Sequence, residues 1–459
     1  VDMSALTGES IPVSLSEGDE ILSGSINANG MLRIKASREY SDSTSARILS
    51  MIEDADSQKS RAEKFITRFA RIYTPIVCLV ALLIIVVPPL FFGGEWKDWA
   101  YRGLSALVVS CPCAIVISIP LSFFGGLGAS SKQGVLIKGS NHLEMLAKFD
   151  TAVFDKTGTV TSGKFEYVNC ECVNCHCEDK KEHRELLGLI AACERYSTHP
   201  IAKSVSLAFG QFADGLDVTD AKNYPGLGVS ALVNGRRYYA GSEKLMNKVG
   251  VDFKETRLVG TAIYLCSDEE FLGDIVFADV IKTDSREAIA ELYRLGVKKT
   301  VMLTGDKENI AADIAEKAGI SEYYSKLLPD EKTAKISELQ NSGKTVLYTG
   351  DGINDAPVLA KADIGVAMGA IGSDAAVVIM GDSLSKIPVA RRIARKTMRI
   401  VRENIIFSIG IKVLIIIISA LGLFGESAMW LAVFGDVGVC LIAVANSLRA
   451  LYFKKKKNK

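Results

Sequence analysis

Charge of either sign is almost absent in net terms, because 54 Lys and Arg stand against 53 Asp and Glu and leave a formal +1. That balance excludes a strongly basic nucleic-acid binder and gives no sign of an acidic partner. Cysteine is also sparse. Ten in 459 residues cannot staple a disulfide scaffold, and four of them crowd into Cys170, Cys172, Cys175 and Cys177. Such a cluster in a long chain concerns metal or reactive thiols in a reducing compartment more often than bridges. No internal repeat is visible. Neither an initiator Met nor a basic-then-apolar leader opens the chain, and "VDMSALTGES" reads as the middle of a domain, so a fragment is expected.

What is abundant is apolar sequence. Hydrophobic residues make up 48% and the mean hydropathy is +0.21, both high for a wholly soluble protein. The length is too great for one core, so several domains are expected. Four stretches, about Phe69 to Phe92, Leu104 to Leu127, Asn404 to Leu423 and Met429 to Leu448, each approach the roughly 20 residues that a spanning helix needs. Short connections join the members of each pair, which makes two helical hairpins. The pieces 1–67 and 129–402 then share one side of the membrane with the tail "FKKKKNK". The positive-inside rule makes that side cytoplasmic.

Residues 10–36 alternate β-type runs with turns, and Ser43 to Arg71 turn helical and polar, as a small β unit feeding a stalk would. From Asp150 the grammar changes. "TAVFDKTGT", "VKKTVMLTGD", "GKTVLYTGDG" and "ADIGVAM" are short buried strands, with helical patterns between them, and the first three run into polar loops. Alternating strands and helices imply a parallel α/β sheet with ligands at the strands' carboxyl ends. Residues 162–279 have another texture, with short strands such as "YYAG" and no such loops, and read as an inserted domain.

The strand-end loops carry one kind of chemistry. Asp155 is a carboxylate placed to attack phosphorus. Asp351 and Asp355 suit Mg²⁺, which takes a few oxygen ligands plus substrate phosphate. Thr304 offers a hydroxyl and Lys332 a point cation for transferring phosphoryl oxygens.

Taken in order, "TGES", "CPC", "DKTGT", "HP", "TGD" and "GDGINDAP" resemble the P-type ATPases, in their zinc/cadmium/lead heavy-metal branch. The resemblance implies a multi-domain membrane protein with an α-helical transmembrane bundle. To this it adds a HAD-like α/β phosphorylation domain (129–161 and 280–400) with an inserted α+β nucleotide-binding domain (162–279). A partial β actuator domain (1–60), hairpins at 61–128 and 401–449 and a basic tail (450–459) complete the expected organisation. It also implies ATP and Mg²⁺ as cofactors, with Asp155, Lys156, Thr157, Thr304, Lys332 and Glu9 as catalytic residues. Asp155, Thr157, Asp351 and Asp355 would hold Mg²⁺. Glu194, His199, Gly226, Gly228, Thr304, Gly305 and Asp306 would hold the nucleotide, the glycines permitting close backbone approach. Family members carry further spans upstream, so an N-terminal truncation is expected. Phosphatases of the same superfamily carry a second Asp two residues after the nucleophile. Here that position is Thr157, so an aspartyl-phosphate on Asp155 should persist until another group, Glu9, activates water.

The remaining motif lies inside an apolar run, "VVSCPCAIVIS". Residues two apart on a regular helix point about 200° from each other. Pro112 opens the turn, which can bring the sulfurs of Cys111 and Cys113 to one point. Local unwinding is tolerated in a membrane only where protein or a cavity covers it. Thiolates alone suit Cu(I), Zn²⁺, Cd²⁺ and Pb²⁺ alike. Asp436 and Lys412, ionisable residues inside the second hairpin, discriminate. Two thiolates and Asp436 carry three negative charges, which a divalent ion and Lys412 balance. "GIK" and "FGDVG" also match the zinc/cadmium/lead members. The expected function is therefore ATP-driven export of Zn²⁺, Cd²⁺ or Pb²⁺ by a monomeric, multi-pass protein of a bacterial plasma membrane. Its expected partners are membrane lipid, ATP and the metal ion, with no nucleic acid. A copper exporter, or a transport-incompetent fragment that only binds metal and nucleotide, are the alternatives. Cys440 and Cys78 can face the same cavity or be small core residues. The Cys170–Cys177 run with His176 is either a regulatory metal site or a loop whose thiols happen to cluster. His199→Gln should weaken ATP binding, and titration calorimetry showing an unchanged affinity would remove His199 from the nucleotide site.

Overall fold

The computed structural model describes residues 21, 27, 33–35, 61–91, 93, 95–109, 113–172, 180–197, 200–224, 227–256, 258–351, 355–369, 375–420 and 428–453. The expected actuator segment 1–60 and the tail 454–459 lie almost wholly outside them. The chain divides into two compact units, the first comprising 1–155, 286–301 and 328–459 and the second 156–285 and 302–327.

The first unit is built on the sheet that the strand-loop grammar predicts. Strands β1 (Val135–Ile137), β2 (Thr151–Asp155), β9 (Lys299–Leu303), β10 (Glu322–Tyr324), β11 (Val346–Gly350), β12 (Ile364–Met368) and β13 (Val377–Ile379) form a seven-stranded sheet, ordered β1-β13-β12-β11-β2-β9-β10. The division between units passes through β9, and β10 falls in the second unit. Every residue of β2, β11 and β12 is buried, as sheets covered on both faces require, and their sequences accordingly run apolar without alternation. β11 pairs parallel with both β12 and β2. The edge differs from the all-parallel expectation, since β1 joins β13 antiparallel.

One buried arginine fastens this unit. Arg391 is 1% exposed. Its Nη1 donates to the Phe149 carbonyl at 2.6 Å and its Nε to the Leu295 carbonyl at 3.1 Å, while its guanidinium lies 4.0 Å from the Phe149 ring centroid. Burial, helped by the charge of Arg395, lowers its pKa to about 10, which still leaves it charged.

The second unit holds a six-stranded antiparallel sheet ordered β3-β8-β7-β6-β5-β4, formed by β3 (Thr161–Cys172), β4 (Val218–Tyr224), β5 (Gly228–Val233), β6 (Arg236–Gly241), β7 (Thr261–Ser267) and β8 (Phe271–Ile281). Helices Lys180–Glu194 and Pro200–Phe209 cover one face, packing Leu186, Ile190, Val205 and Phe209 on Val229, Ala231, Ile275 and Phe277. Leu245, Met246, Tyr264 and Cys266 form a separate core. Cys170 and Cys172 belong to β3, so the cysteine run begins in a strand and not in a loop.

Helices Arg61–Phe91, Trp96–Val109, Cys113–Ser131, Lys386–Ala420 and Ala428–Leu448 carry the apolar stretches. Thr74–Phe91 and Cys113–Ser131 meet spanning length and composition, with mean hydropathies of 2.6 and 1.8. Within the stretch read as one span, 104–127, helices Trp96–Val109 and Cys113–Ser131 are described, and residues 110–112 lie outside the described residues. Of the stretch Asn404 to Leu423, residues 404–420 are the distal part of the 35-residue helix Lys386–Ala420, and residues 421–423 lie outside the described residues.

Arg391→Ala leaves two buried carbonyls without their donor and should cost about 3 kcal/mol. Arg391→Lys should recover only part, since a point cation cannot reproduce the fork. Thermal unfolding in detergent measures both, and a loss no larger than that of the exposed Arg399→Ala would refute the fastening role.

Candidate functional site

Parallel pairing sets the first cluster. β2 and β11 lie side by side with Phe154 opposite Thr349, so Asp155 at the end of one strand neighbours Gly350 and Asp351 at the end of the other. Helix Pro329–Asn341 contributes Lys332, and Asp355 stands at the N-cap position of helix Ala356–Lys361. Lys332 Nζ donates to Asp155 Oδ1 at 2.5 Å and to Asp355 Oδ1 at 3.1 Å. Asp155 and Asp355 are 7% and 3% exposed. A Cβ at position 350 would lie 2.7 Å from Asp355 Oδ2, so the strand has to end in glycine for that carboxylate to approach.

The charges in this cluster do not balance. Burial, then the charge of Asp355, raises the Asp155 pKa from 3.8 to about 6, although Lys332 pulls it down and Asp351 adds to the rise. Burial alone would lower the Lys332 pKa, yet the charges and hydrogen bonds of Asp155 and Asp355 raise it. One ammonium bonded to two carboxylates, Asp155 and Asp355, leaves excess negative charge in a poorly solvated place. Hard carboxylate oxygens at a strand end are the kind of donor Mg²⁺ takes, although Asp155, Asp351 and Asp355 do not converge here as a three-donor group.

In the second unit, Lys156 Nζ lies 2.7 Å from Asp306 Oδ2 and 3.3 Å from Asp279 Oδ2. Gly158, at φ 70°, makes the turn of "DKTGT" possible, and Lys282 Nζ holds its carbonyl at 2.7 Å. Thr157 is exposed. Thr304, 3% exposed, accepts the Asp306 N–H through Oγ1 at 3.1 Å and so shapes the "TGD" loop with Gly305. Glu194 is 5% exposed, and its Oε2 has no hydrogen-bond partner among the described residues. Burial raises its pKa, against a hydrogen bond from Ser197. At Gly228 a Cβ would meet the Ala240 carbonyl at 2.3 Å, so strand packing alone already requires glycine there. Glu9, His199, Gly226 and Cys111 lie outside the described residues.

In the membrane helices, Lys412 Nζ donates to Asp436 Oδ1 at 2.8 Å, with Lys412 5% exposed. A Cβ on Gly435 would fall 2.1 Å from Ile415 Cδ1, so glycine beside Asp436 permits the close crossing that brings the pair together. Cys113 opens its helix and is disulfide-bonded; only a reduced thiolate can ligate. Cys440 packs with Ala114, Val439 and Ala443, and Cys78 is exposed.

Sequence-family models for haloacid dehalogenase-like hydrolases and for the P-type ATPase actuator domain match residues 149–363 and 1–53. A cadmium, zinc and cobalt-transporting ATPase of Bacillus subtilis (strain 168) is 46% identical, covering 99% of this chain and 65% of its own length. A zinc-transporting ATPase of Synechocystis sp. (strain ATCC 27184 / PCC 6803 / Kazusa) is 46% identical over 98% of this chain and 62% of its own. The crystal structure of a zinc-transporting PIB-type ATPase in an E2·Pi state matches at 36% identity with a TM-score of 0.72, over 98% of this chain and 74% of that one. The chain belongs to the PIB-type P-type ATPases.

It spans less than two thirds of the length of those two curated relatives. The HAD-like sheet and the inserted antiparallel domain follow the P-type architecture that the sequence resemblance implies. Two polar residues of this PIB-type chain escaped the sequence reading. Asp279, at the end of β8, accepts Thr161 Oγ1 at 2.6 Å as well as Lys156. Tyr348 is fully buried in β11, with Asp355 beside its hydroxyl. Its Cε1 lies 3.2 Å from the Cβ position of Gly350. Burial, then Asp155 and Asp355, pushes the phenol far above its ordinary value, so it stays protonated beside the carboxylates. Strand alternation puts 348 on the face of 350, and a phenol in an otherwise apolar strand was the readable signal. Cys170 Sγ lies 3.1 Å from His183 Nδ1. The rest of that run, 173–179, lies outside the described residues, and no group of three metal-type donors occurs among those described.

With its pKa raised from 3.8 to about 6, Asp155 binds its proton more tightly folded than unfolded. Its contribution to stability is whole below about pH 4 and lost as pH rises through about 6. Asp155→Asn, in Mg²⁺-free buffer, should therefore be more stable than the wild type at pH 7 by up to ~3 kcal/mol, and the two should converge near pH 4. Scanning fluorimetry across that range decides; equal melting at pH 7 would contradict the crowding of charge at Asp155.

Proposed function

We propose that this chain forms the catalytic and ion-binding part of an ATP-driven exporter of soft divalent ions, Zn²⁺, Cd²⁺ or Pb²⁺, in a bacterial plasma membrane. The observation that carries the substrate class is the Lys412–Asp436 pair, 2.8 Å apart between two spanning helices. A carboxylate in lipid is expensive and needs a charge partner. It serves a divalent ion held with two thiolates and would add nothing to a Cu(I) site. The relatives' cadmium and zinc specificities agree with this reading. Residues 129–161 and 280–400 act as the phosphorylation domain, 162–279 bind the nucleotide and 1–60 belong to the actuator.

The chemistry follows from the cluster. An Asp155 carboxylate oxygen bonds to the γ-phosphorus of ATP as the bond to the ADP oxygen breaks. Lys332, already on Asp155 and Asp355, is placed to accompany the transferring oxygens. Asp155, Thr157, Asp351 and Asp355 would hold Mg²⁺, which would supply charge neutralisation there. Lys156, Thr304 and Asp306 shape the loops that receive the nucleotide, whose base is held near Glu194, His199, Gly226 and Gly228. Thr157 provides no base, so the phosphoenzyme waits for water activated by Glu9. In the membrane, reduced Cys111 and Cys113 join Asp436 around the ion, and Lys412 competes with the ion for that carboxylate. Binding and phosphorylation are coupled because each favours a different state of the same helices.

In the full-length protein under reducing conditions, ATP should give an acid-stable phosphoenzyme that Asp155→Asn abolishes. Zn²⁺ should stimulate hydrolysis and Cu(I) should not. Asp436→Ala should lose at least tenfold of the Zn²⁺ stimulation while retaining labelling of Asp155 by inorganic phosphate. Undiminished Zn²⁺ stimulation in Asp436→Ala would defeat the divalent assignment, and absence of labelling would leave only a binding protein.

A further inference from the structure

The outward stripe of helix Lys386–Ala420 changes chemistry within one turn. Arg395, Arg399 and Arg402 are exposed, and Ile406, Ile409, Val413 and Ile417 follow at 65%, 42%, 49% and 51% exposed. Successive gaps of three or four residues keep all seven on one side of an α-helix. Arg402 and Ile406 are about 6 Å apart along the axis, so the stripe passes from guanidinium to hydrocarbon over the width of a lipid headgroup.

Other cations at this level are already engaged. Arg391 holds carbonyls, Arg392 Nη1 lies 3.3 Å from Glu291, Lys396 donates to the Tyr452 carbonyl at 2.5 Å, and Arg449 faces Glu403 at 3.4 Å. Among the described residues, Arg399 and Arg402 have no ion-pair partner, and Arg395 makes one long bond, 3.4 Å, to the Ala147 carbonyl. Glu403, the acid nearest in sequence, also accepts from Asn446 Nδ2 at 3.3 Å.

We propose that Arg395, Arg399 and Arg402 form a binding surface for the headgroups of anionic phospholipids, whose acyl chains lie along Ile406 to Ile417. Arginine matches phosphate oxygens with two parallel donors. A zwitterionic headgroup brings its own ammonium and neutralises less of the stripe. Soluble phosphate has the same oxygens but no chains to lie against the aliphatic half, which selects lipid. The proposal depends on the membrane placement of this helix and not on which ion is transported.

The test uses the full chain in mixed micelles with equal phosphatidylglycerol and phosphatidylcholine, counting retained lipids by native mass spectrometry. Each basic residue near a membrane surface is worth roughly fivefold, so the wild type should retain phosphatidylglycerol in clear excess, less so at high salt. The triple variant Arg395→Gln/Arg399→Gln/Arg402→Gln should fall to parity, and the corresponding triple substitution to Lys should keep most of the excess. Arg402→Gln alone, a single exposed change, should lose roughly fivefold and covers the case of a misfolded triple variant. Parity in the wild type, an undiminished excess in the Gln variants, or displacement of the lipid by equimolar inorganic phosphate would each overturn the assignment.

Discussion

Lys332 is the interaction on which the catalytic half rests. It offsets carboxylates that the parallel pairing of β2 and β11 and the start of the following helix bring together. Bonded to both Asp155 and Asp355, it makes a buried acidic site tolerable without making it neutral. The residual imbalance appears in the raised pKa of Asp155 and suits a site whose ligands are a divalent cation and a phosphate. A better-balanced site would be more stable and would bind Mg²⁺ less strongly, so some stability is traded for function here.

The membrane pair obeys the same logic with different surroundings. Lys412 and Asp436 satisfy each other across a helix crossing made possible by the missing side chain of Gly435. Lipid offers no water to share the charge, so whatever removes the lysine from the carboxylate must bring comparable positive charge. Against two thiolates and Asp436, a divalent ion would leave one negative charge for Lys412 to balance, and a monovalent ion would leave two.

What could be read in advance followed the strength of the local signal. "TAVFDKTGT" and "GKTVLYTGDG" announce buried strands with polar ends because an apolar run of that length has few other uses. β3 was not legible, since "GKFEYVNCEC" interleaves charges and small residues and gains its strand from pairing with β8. Arg391 was hidden for the opposite reason. In "KIPVARRIARKTMRIVREN" it is one arginine among several, and only packing decides that this one is buried while Arg395 and Arg399 face outward. Motif spacing located Lys332 and Asp355, but no spacing rule predicts that one ammonium bridges two carboxylates, because that depends on where helix Pro329–Asn341 crosses the sheet edge.

The two charged clusters lie in one unit, joined by a continuous element. Helix Lys386–Ala420 carries Arg391 near its start and Lys412 in its distal part, about 32 Å apart along the axis. Arg391 grips the carbonyl of Phe149, two residues before β2, the strand that ends in Asp155. Helices transmit axial displacement well because their hydrogen bonds resist stretching, while packed cores move between discrete arrangements and do not deform continuously. A shift of β2 on phosphorylation would therefore reach Lys412 as a displacement of the helix, not as a field, since screening removes charge effects over such a distance. Arg391, bonded to the Phe149 carbonyl just before β2, sits where such a displacement would be taken up.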